Sequence, residues 1–135
     1  GCLPLTLSND PPVDFDKYDS VLVVVEVSGL AERGDDGRYA DYLRDELNRV
    51  SGFRRVTVDP RATVKAVLTV QLDIDVEIDD EGDDDYNADA TFRLTDLSGR
   101  LVDQGDEGAS STFRDETIED ALDEVANHYL ALYII

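Results

Sequence analysis

The alternation of hydrophobic and polar residues predicts the strands of this chain. Residues 20–27, SVLVVVEV, are nearly all apolar and β-branched, which is typical of a strand that is covered on both faces or flanked by neighbours. Every second residue is apolar from 64 to 78, which predicts a long strand containing a bend or bulge. A further alternation over 88–97, a Ser98-Gly99 turn signal and residues 100–107 predict a hairpin, so the last three strands form a meander.

Helical spacing appears in two places. Over 38–51, Tyr39, Leu43, Leu47 and Val50 recur with a period near 3.6 and predict a first helix, with Asp35 or Asp36 as its cap and Gly52 as the residue that ends it. A second helix is predicted over 112–133, where Thr112 and Asp115 resemble a capping pair. Its apolar stripe consists of Ile118, Ala121, Leu122, Val125, Ala126, Tyr129, Leu132 and Tyr133.

The order of these elements predicts the fold class. A short strand over 53–59, stopped by Pro60, completes the order β-α-β-β-β-β-α and predicts a parallel crossover with the first strand. We therefore expect an α+β two-layer sandwich, with a mixed, mostly antiparallel sheet of about five strands and both helices on one face. Residues 1–14 are proline-bearing and lack periodicity, which predicts a tether, and residues 15–135 form a single domain.

The charge of the chain limits its partners. Twelve Lys and Arg residues against 32 Asp and Glu give a net charge of −20, which opposes binding to nucleic acid. The excess of Asp is typical of a high-GC genome and also of a halophile, because screened carboxylates keep a surface hydrated in salt. Composition leaves both explanations open.

Cys2 is the single cysteine, so an intrachain disulfide or a multi-cysteine metal site is ruled out. Gly1-Cys2 followed by a polar, proline-bearing arm resembles the end of a bacterial lipobox, in which a peptidase cuts between a small residue and a cysteine that receives acyl chains. That resemblance implies a membrane anchor on Cys2. An incidental thiol in a flexible segment is the alternative.

The rest of the chain resembles families of small envelope lipoproteins. The long strand with KAVLTVQLDI, the turn LTDLSGRLVDQG and the closing amphipathic helix are similar in pattern to the lipopolysaccharide-assembly lipoprotein and to the first domain of TolB-like proteins. The resemblance implies an accessory role in the cell envelope, at the periplasmic face of the outer membrane or another extracytoplasmic surface, with an envelope protein as partner. The charge of −20 departs from the lipopolysaccharide-assembly member, whose ligand is phosphorylated.

Candidate catalytic residues are few. His128 is the single histidine, and the sequence places no serine, cysteine or second histidine beside it, so a structural role at a helix C-terminus is favoured. Asp73, Asp75 and Glu77 lie on the polar side of the long strand, which predicts a solvated face. No catalytic residue is assigned, and a carboxylate-dependent hydrolase is the third hypothesis for function.

An acidic loop is predicted over 79–87. Its carboxylates are the ligand type that Ca²⁺ prefers, although their spacing matches neither the EF-hand nor the nonapeptide calcium motif. The candidate ligands are Asp79, Asp80, Asp83, Asp84 and Asp85.

The sequence thus predicts a non-enzymatic, lipid-anchored envelope protein that acts as a binding or assembly module. The alternative is an acidic structural domain that depends on calcium or salt. Ca²⁺ is the one cofactor that the pattern suggests.

Overall fold

Five strands and two helices make up the computed structural model of this chain, which describes residues 13–29, 35–78 and 80–129. Their order is β-α-β-β-β-β-α, and the predicted α+β class is confirmed. The elements are β1 (Ser20–Gly29), α1 (Asp35–Val50), β2 (Arg55–Thr57), β3 (Ala66–Ile78), β4 (Asp84–Asp96), β5 (Leu101–Ser111) and α2 (Arg114–His128).

The strands form one five-stranded sheet in the order β2-β1-β3-β4-β5. Strand β1 is parallel to β2 and to β3, while β3, β4 and β5 are antiparallel neighbours, as the meander prediction requires. One end of the sheet therefore collects the starts of β1, β2, β3 and β5 and the end of β4. The opposite end collects the start of β4 and the ends of β1, β3 and β5.

The core lies between one face of the sheet and the two helices. Alternate residues of β1, β3 and β4 point into it, because side chains of a strand alternate between faces. Helix α1 contributes Tyr39, Leu43 and Leu47, and α2 contributes its predicted stripe as far as Tyr129. Val13, which the sequence pattern assigned to the tether, is 3% exposed and belongs to this core.

A bend or bulge is predicted within the long strand, and its pairing with β4 contains no bulge. Strand β3 pairs with β4 without interruption from Ala66 opposite Asp96 to Ile78 opposite Asp84. The irregularity in the sheet lies instead in the β4–β5 pairing, between Leu94 and Thr95. Strand β3 stays regular because β4 extends as far as it does and continues the ladder of backbone hydrogen bonds.

The predicted cap of helix α2 is also wrong. Phe113 occupies the N-cap position with an extended backbone, and no side chain caps the helix. The Thr117 hydroxyl donates a hydrogen bond of 2.7 Å to the Phe113 carbonyl. Helix α2 begins at Arg114 rather than 112, and the predicted residues Leu132 and Tyr133 lie outside the described part of the chain.

Gly52 follows helix α1, but it does not have the left-handed backbone that a C′ glycine adopts, since positive φ angles among the described residues occur at Gly82 and Gly99. A Cβ atom at Gly52 would lie 2.4 Å from Cδ2 of Phe15. Close packing of the Phe15 ring, rather than helix termination, therefore explains the glycine. Phe15 in turn meets Phe53 edge to face, with ring centroids 4.9 Å apart.

Candidate interaction surfaces

The sheet face opposite the helices is polar for most of its length, as the alternation in β3 and β4 predicts. Asp73, Asp75 and Glu77 are exposed there, as expected for a solvated face. Toward the start of β3 the same face loses its acidic residues. Val67 and Thr69 are half-buried there, and they lie opposite Leu22 and Val24 of β1. The open face therefore has an acidic half and a nearly uncharged half.

A shallow concavity of about 370 Å³ lies on the uncharged half. Arg93 is its charged group, and among the described residues this guanidinium has no ion pair or hydrogen bond. The remaining lining residues are Thr69, Gln71, Thr91, Thr95 and Gly99. Hydroxyl, amide and guanidinium groups suit a polar ligand, and nothing in this concavity resembles a nucleophile with a base.

Beside β1 lies a second concavity, of about 410 Å³, with a largely apolar lining. It forms because β2 pairs with β1 only from Ser20 to Leu22, so β1 residues beyond Leu22 have no strand on that side within the described ranges. Its apolar lining includes Leu22, Val24, Val58 and Pro60.

Cations collect at the end of the sheet where β1, β2 and β3 start. We call this the basic end and define it by Lys17, Arg54, Arg55, Lys65 and Arg100. None of these five makes an ion pair with a described carboxylate, whereas Arg38, Arg44, Arg49, Arg61 and Arg114 all do. In a chain with 32 acidic residues, such a group of unpaired cations indicates a surface that is available to an anionic partner.

Part of the basic end is a depression of about 380 Å³ between the segment before β1 and the β4–β5 turn. Lys17, Lys65 and Arg100 line it. Two large apolar side chains are exposed nearby, Leu97 at 68% and Leu101 at 40%. This end therefore presents positive charge together with apolar surface.

The acidic carboxylates at this end are held by their own turns. Asp14 accepts backbone hydrogen bonds from Asp16 and Lys17. Asp96 accepts hydrogen bonds from the Ser98 hydroxyl at 2.6 Å, the Ser98 N–H at 2.9 Å and the Arg100 N–H at 3.0 Å.

The ionised Asp96 carboxylate is expected to stabilise the folded protein at neutral pH and to lose this effect in acid. The Ser98 hydroxyl, followed by backbone donors, holds the pKa of the Asp96 carboxyl below its ordinary value of 3.8. A carboxyl with a lowered folded-state pKa contributes stability above its unfolded pKa and loses it as the pH falls through the folded one. In urea unfolding, Asp96→Ala is expected to be less stable than the natural protein at neutral pH, and the difference should shrink below pH 3.8. A difference independent of pH would contradict this role of the ionised carboxylate.

The opposite end of the sheet carries a projecting hairpin, which we call the arm and define as residues 75–78 and 80–87. The core stops at Ile74 and Ala88, at 0% and 1% exposure, and beyond them Val76 is 38% and Ile78 is 73% exposed. Phe113, at the same end of the sheet, is 67% exposed. On the arm, Val76 and Ile78 share a face with Asp84, which lies opposite Ile78, while Asp75, Glu77 and Asp85 lie on the other face.

The acidic loop predicted over 79–87 is wrong in its second half. Residues Asp84 to Asn87 belong to strand β4 and pair with β3, so the turn itself is shorter than expected. Antiparallel pairing of Glu77 with Asp85 places like charges opposite each other, which is destabilising. The sequence therefore did not predict this part of the strand.

The calcium candidates lie on this arm. Asp80 and Asp83 are in the turn, Asp84 and Asp85 are at the start of β4, and Asp79 lies outside the described residues. Among the described residues, no three His, Cys, Asp or Glu side chains converge in a way that would hold a metal ion. Calcium binding stays a prediction from composition.

His128 has a partner that sequence reasoning missed. Its Nε2 atom lies 2.8 Å from Oδ2 of Asp103 on β5, and its ring meets Phe92 and Tyr129 edge to face. The contact ties the end of α2 to the edge strand of the sheet, which is a structural role. Residues 103 and 128 are far apart in sequence, and only the pairing of β5 beside β4 brings them together.

Among the described carboxyl groups, Asp123 is the one whose pKa is raised. Burial is the main cause, and the 2.9 Å hydrogen bond from the Tyr42 hydroxyl opposes it. The same burial, with Asp123 beside it, raises the pKa of Tyr42. This pair joins α1 to α2, and Asp123 lines none of the three concavities.

The predicted lipidation site, Cys2, lies outside the described residues. The described helices include none that is long and apolar enough to cross a membrane.

Comparison with known proteins gives similarity of fold. No family model matches this chain, and no curated protein matches it. Among solved structures it is similar to the PelC dodecamer from Paraburkholderia phytofirmans, with 18% identity over 90% of this chain and 96% of that one and a TM-score of 0.66. It is also similar to a minor lipoprotein from Acinetobacter baumannii, with 14% identity over 82% and 86% of the two chains and a TM-score of 0.54.

A third similar structure is the hypothetical protein CT253 from Chlamydia trachomatis, with 9% identity over 85% of this chain and 99% of that one and a TM-score of 0.55. At these identities the likeness establishes a shared fold. This chain therefore shares its fold with a minor lipoprotein and with the subunit of a dodecamer.

Proposed function

We propose that this chain is a non-enzymatic, lipid-anchored protein of the cell envelope that acts as a binding or assembly module and associates with further copies of itself. The observation that carries the proposal is the distribution of charged and apolar residues on its surface. Cations that pair with no described carboxylate lie with exposed leucines at one end of the sheet, and an acidic arm with exposed apolar residues lies at the other. Surfaces of this kind, left uncovered on a small domain, are typical of interaction sites. Fold similarity to a dodecamer and to a minor lipoprotein supports it.

A non-enzymatic role is supported by the chemistry of the concavities. The linings combine threonine, glutamine and arginine in one case, and mainly apolar strand residues in another. In the third, lysine and arginine lie beside Asp96, whose carboxylate is held by the hydrogen bonds of its own turn. Such linings suit binding, since general acid–base or nucleophilic catalysis requires paired titratable groups at a cleft.

The anchor is proposed on Cys2. Val13 is buried and Phe15 packs on Gly52 and Phe53, so these two residues fix where the chain that follows the proposed anchor joins the domain. A single acyl chain gives marginal membrane binding, while several chains on one cysteine give a lasting attachment.

Replacing Cys2 with serine tests the anchor. We expect the natural protein, expressed in a bacterial host behind a lipoprotein leader, to sediment with membranes and to carry fatty acyl groups on its first peptide by mass spectrometry. Cys2→Ser should release the protein into the soluble fraction and remove the added mass. A natural protein that is unmodified and absent from membranes would overturn the anchor.

A serine substitution at Thr6 offers the comparison for this test. Thr6→Ser keeps the cysteine and the length of the tether, so it should leave the protein with the membranes. Release of both variants would indicate that the tether, rather than the acylated sulfur, retains the protein.

A further inference from the structure

We propose that copies of this chain bind head to tail, with the arm of one copy seated on the basic end of the next. This inference rests on the proposed function as an assembly module and names the two surfaces that make the contact. The partner is a second copy of this chain, chosen because the two surfaces complement each other in charge and in apolar content.

The charge complementarity follows from topology. Strand β3 begins at the basic end and ends in the arm, so the two surfaces lie at opposite ends of the same strands. The basic end carries cations that have no described ion-pair partner within the chain. The arm carries Asp80, Asp84 and Asp85, so a second copy supplies the missing counter-charges.

The apolar complementarity points the same way. Val76, Ile78, Leu97, Leu101 and Phe113 are the large apolar side chains that the described structure leaves exposed. Leu97 and Leu101 lie at the basic end, and the other three lie at or beside the arm. A head-to-tail contact would remove members of both groups from water, which is favourable at roughly 25 cal/mol per Å² of apolar area.

The contact has a geometric consequence. Because it joins two different surfaces, each copy keeps one free arm and one free basic end, and the chain of contacts either closes into a ring or continues as a filament. A two-fold symmetric dimer would instead use the same surface on both copies.

The net charge of the chain determines the ionic strength at which self-association should be measured. Two copies at −20 each repel one another at long range, whereas the end-to-end contact places opposite charges in close proximity. At about 0.15 M salt the Debye length is about 8 Å, which screens the long-range repulsion more than the contact pairs. Association is therefore best measured at this ionic strength.

Two double variants test the inference, each changing one surface. Lys65→Glu with Arg100→Glu reverses the basic end, and Asp80→Lys with Asp84→Lys reverses the arm. By sedimentation velocity of the full chain at about 0.15 M salt, the natural protein is expected to form species above 14.9 kDa. Each double variant should sediment as a monomer while keeping its circular dichroism spectrum.

Mixing the two variants gives the decisive result. In the mixture the intact arm of one variant meets the intact basic end of the other, and the two reversed surfaces are also opposite in charge. An equimolar mixture should therefore regain species above 14.9 kDa, which neither variant forms alone. Matched controls carry the same charge changes elsewhere: Arg49→Glu with Arg61→Glu, and Asp106→Lys with Glu124→Lys. Both controls should assemble as the natural protein does.

Other outcomes separate the inference from the proposed function. Assembly of the natural protein that survives both reversals would overturn the head-to-tail contact and leave self-association standing. A natural protein that stays monomeric would overturn both. If the basic-end variant still assembles but loses binding to vesicles of phosphatidylglycerol, a lipid surface is the partner of that end and the inference is wrong.

Discussion

Replacing Phe92 with alanine is expected to lower the free energy of unfolding by about 3–5 kcal/mol. The Phe92 ring is fully buried in β4 and meets the rings of His128 and Tyr129 at centroid distances of 4.9 and 5.8 Å. It also covers Gly105 on β5, where a Cβ atom would lie 2.6 Å from Cζ of Phe92. Because β4 is paired on both sides, the backbone cannot collapse into the space that the ring leaves. Urea unfolding, followed by circular dichroism, measures the loss.

Phe113→Ala is the matched control for that experiment. The same ring is removed from a side chain that is 67% exposed, so the change in unfolding free energy should stay within about 0.5 kcal/mol. Both variants are compared at a protein concentration low enough to keep the chain monomeric. Equal losses for the two would show that Phe92 is not at the centre of the core.

Replacing Gly52 with alanine is expected to lower the free energy of unfolding by about 1–3 kcal/mol. The added Cβ would lie 2.4 to 2.7 Å from three atoms of the Phe15 ring, so that ring must move away. Phe15 would then lose its edge-to-face contact with Phe53. Because this packing fixes where the N-terminal segment joins the domain, the variant should also be cut more readily by protease before Phe15. Thermal unfolding and limited proteolysis measure the two effects.

Gly37→Ala provides the control, since Gly37 lies in helix α1 and an added Cβ would meet no heavy atom within 4 Å. Alanine is a better helix former than glycine, so this variant should gain about 0.5–1 kcal/mol of stability. If Gly52→Ala is stabilising in the same way, the close approach of Phe15 is incorrect.

Much of the fold was predictable because its elements have a clear period. The alternation in β3 and β4 and the 3.6-residue stripe of α2 each leave one apolar face, and such faces are buried only by a two-layer packing. The turn at Ser98-Gly99 was predictable as well, since Gly99 has a φ of 87°, a conformation that glycine adopts without strain.

Other elements were misjudged because local signals compete with long-range contacts. Asp84 and Asp85 disfavour strands and predict a loop at the start of β4, yet the ladder with β3 extends through them. The position of Gly52 predicts a helix stop, whereas the close approach of the Phe15 ring explains the glycine. Neither contact can be predicted from the residues next to it in the sequence.

The same limit applies to the proposed surfaces. Lys65 and Arg93 stand on the polar side of their strands, and Val76 and Ile78 continue the apolar side of β3, so the sequence placed each residue on the correct face. It did not show that the core ends at Ile74, which leaves Val76 and Ile78 exposed. Exposure depends on where the helices stop covering the sheet.

The sequence by itself determined that this is an acidic α+β domain with one apolar sheet face, because period and composition are local properties. Only the tertiary structure decided that the unpaired cations gather at one end and the acidic arm projects from the other. The reason is strand direction: parallel β1 and β3 bring Lys17 and Lys65 to the same end, and the antiparallel return of β4 brings Arg100 to join them.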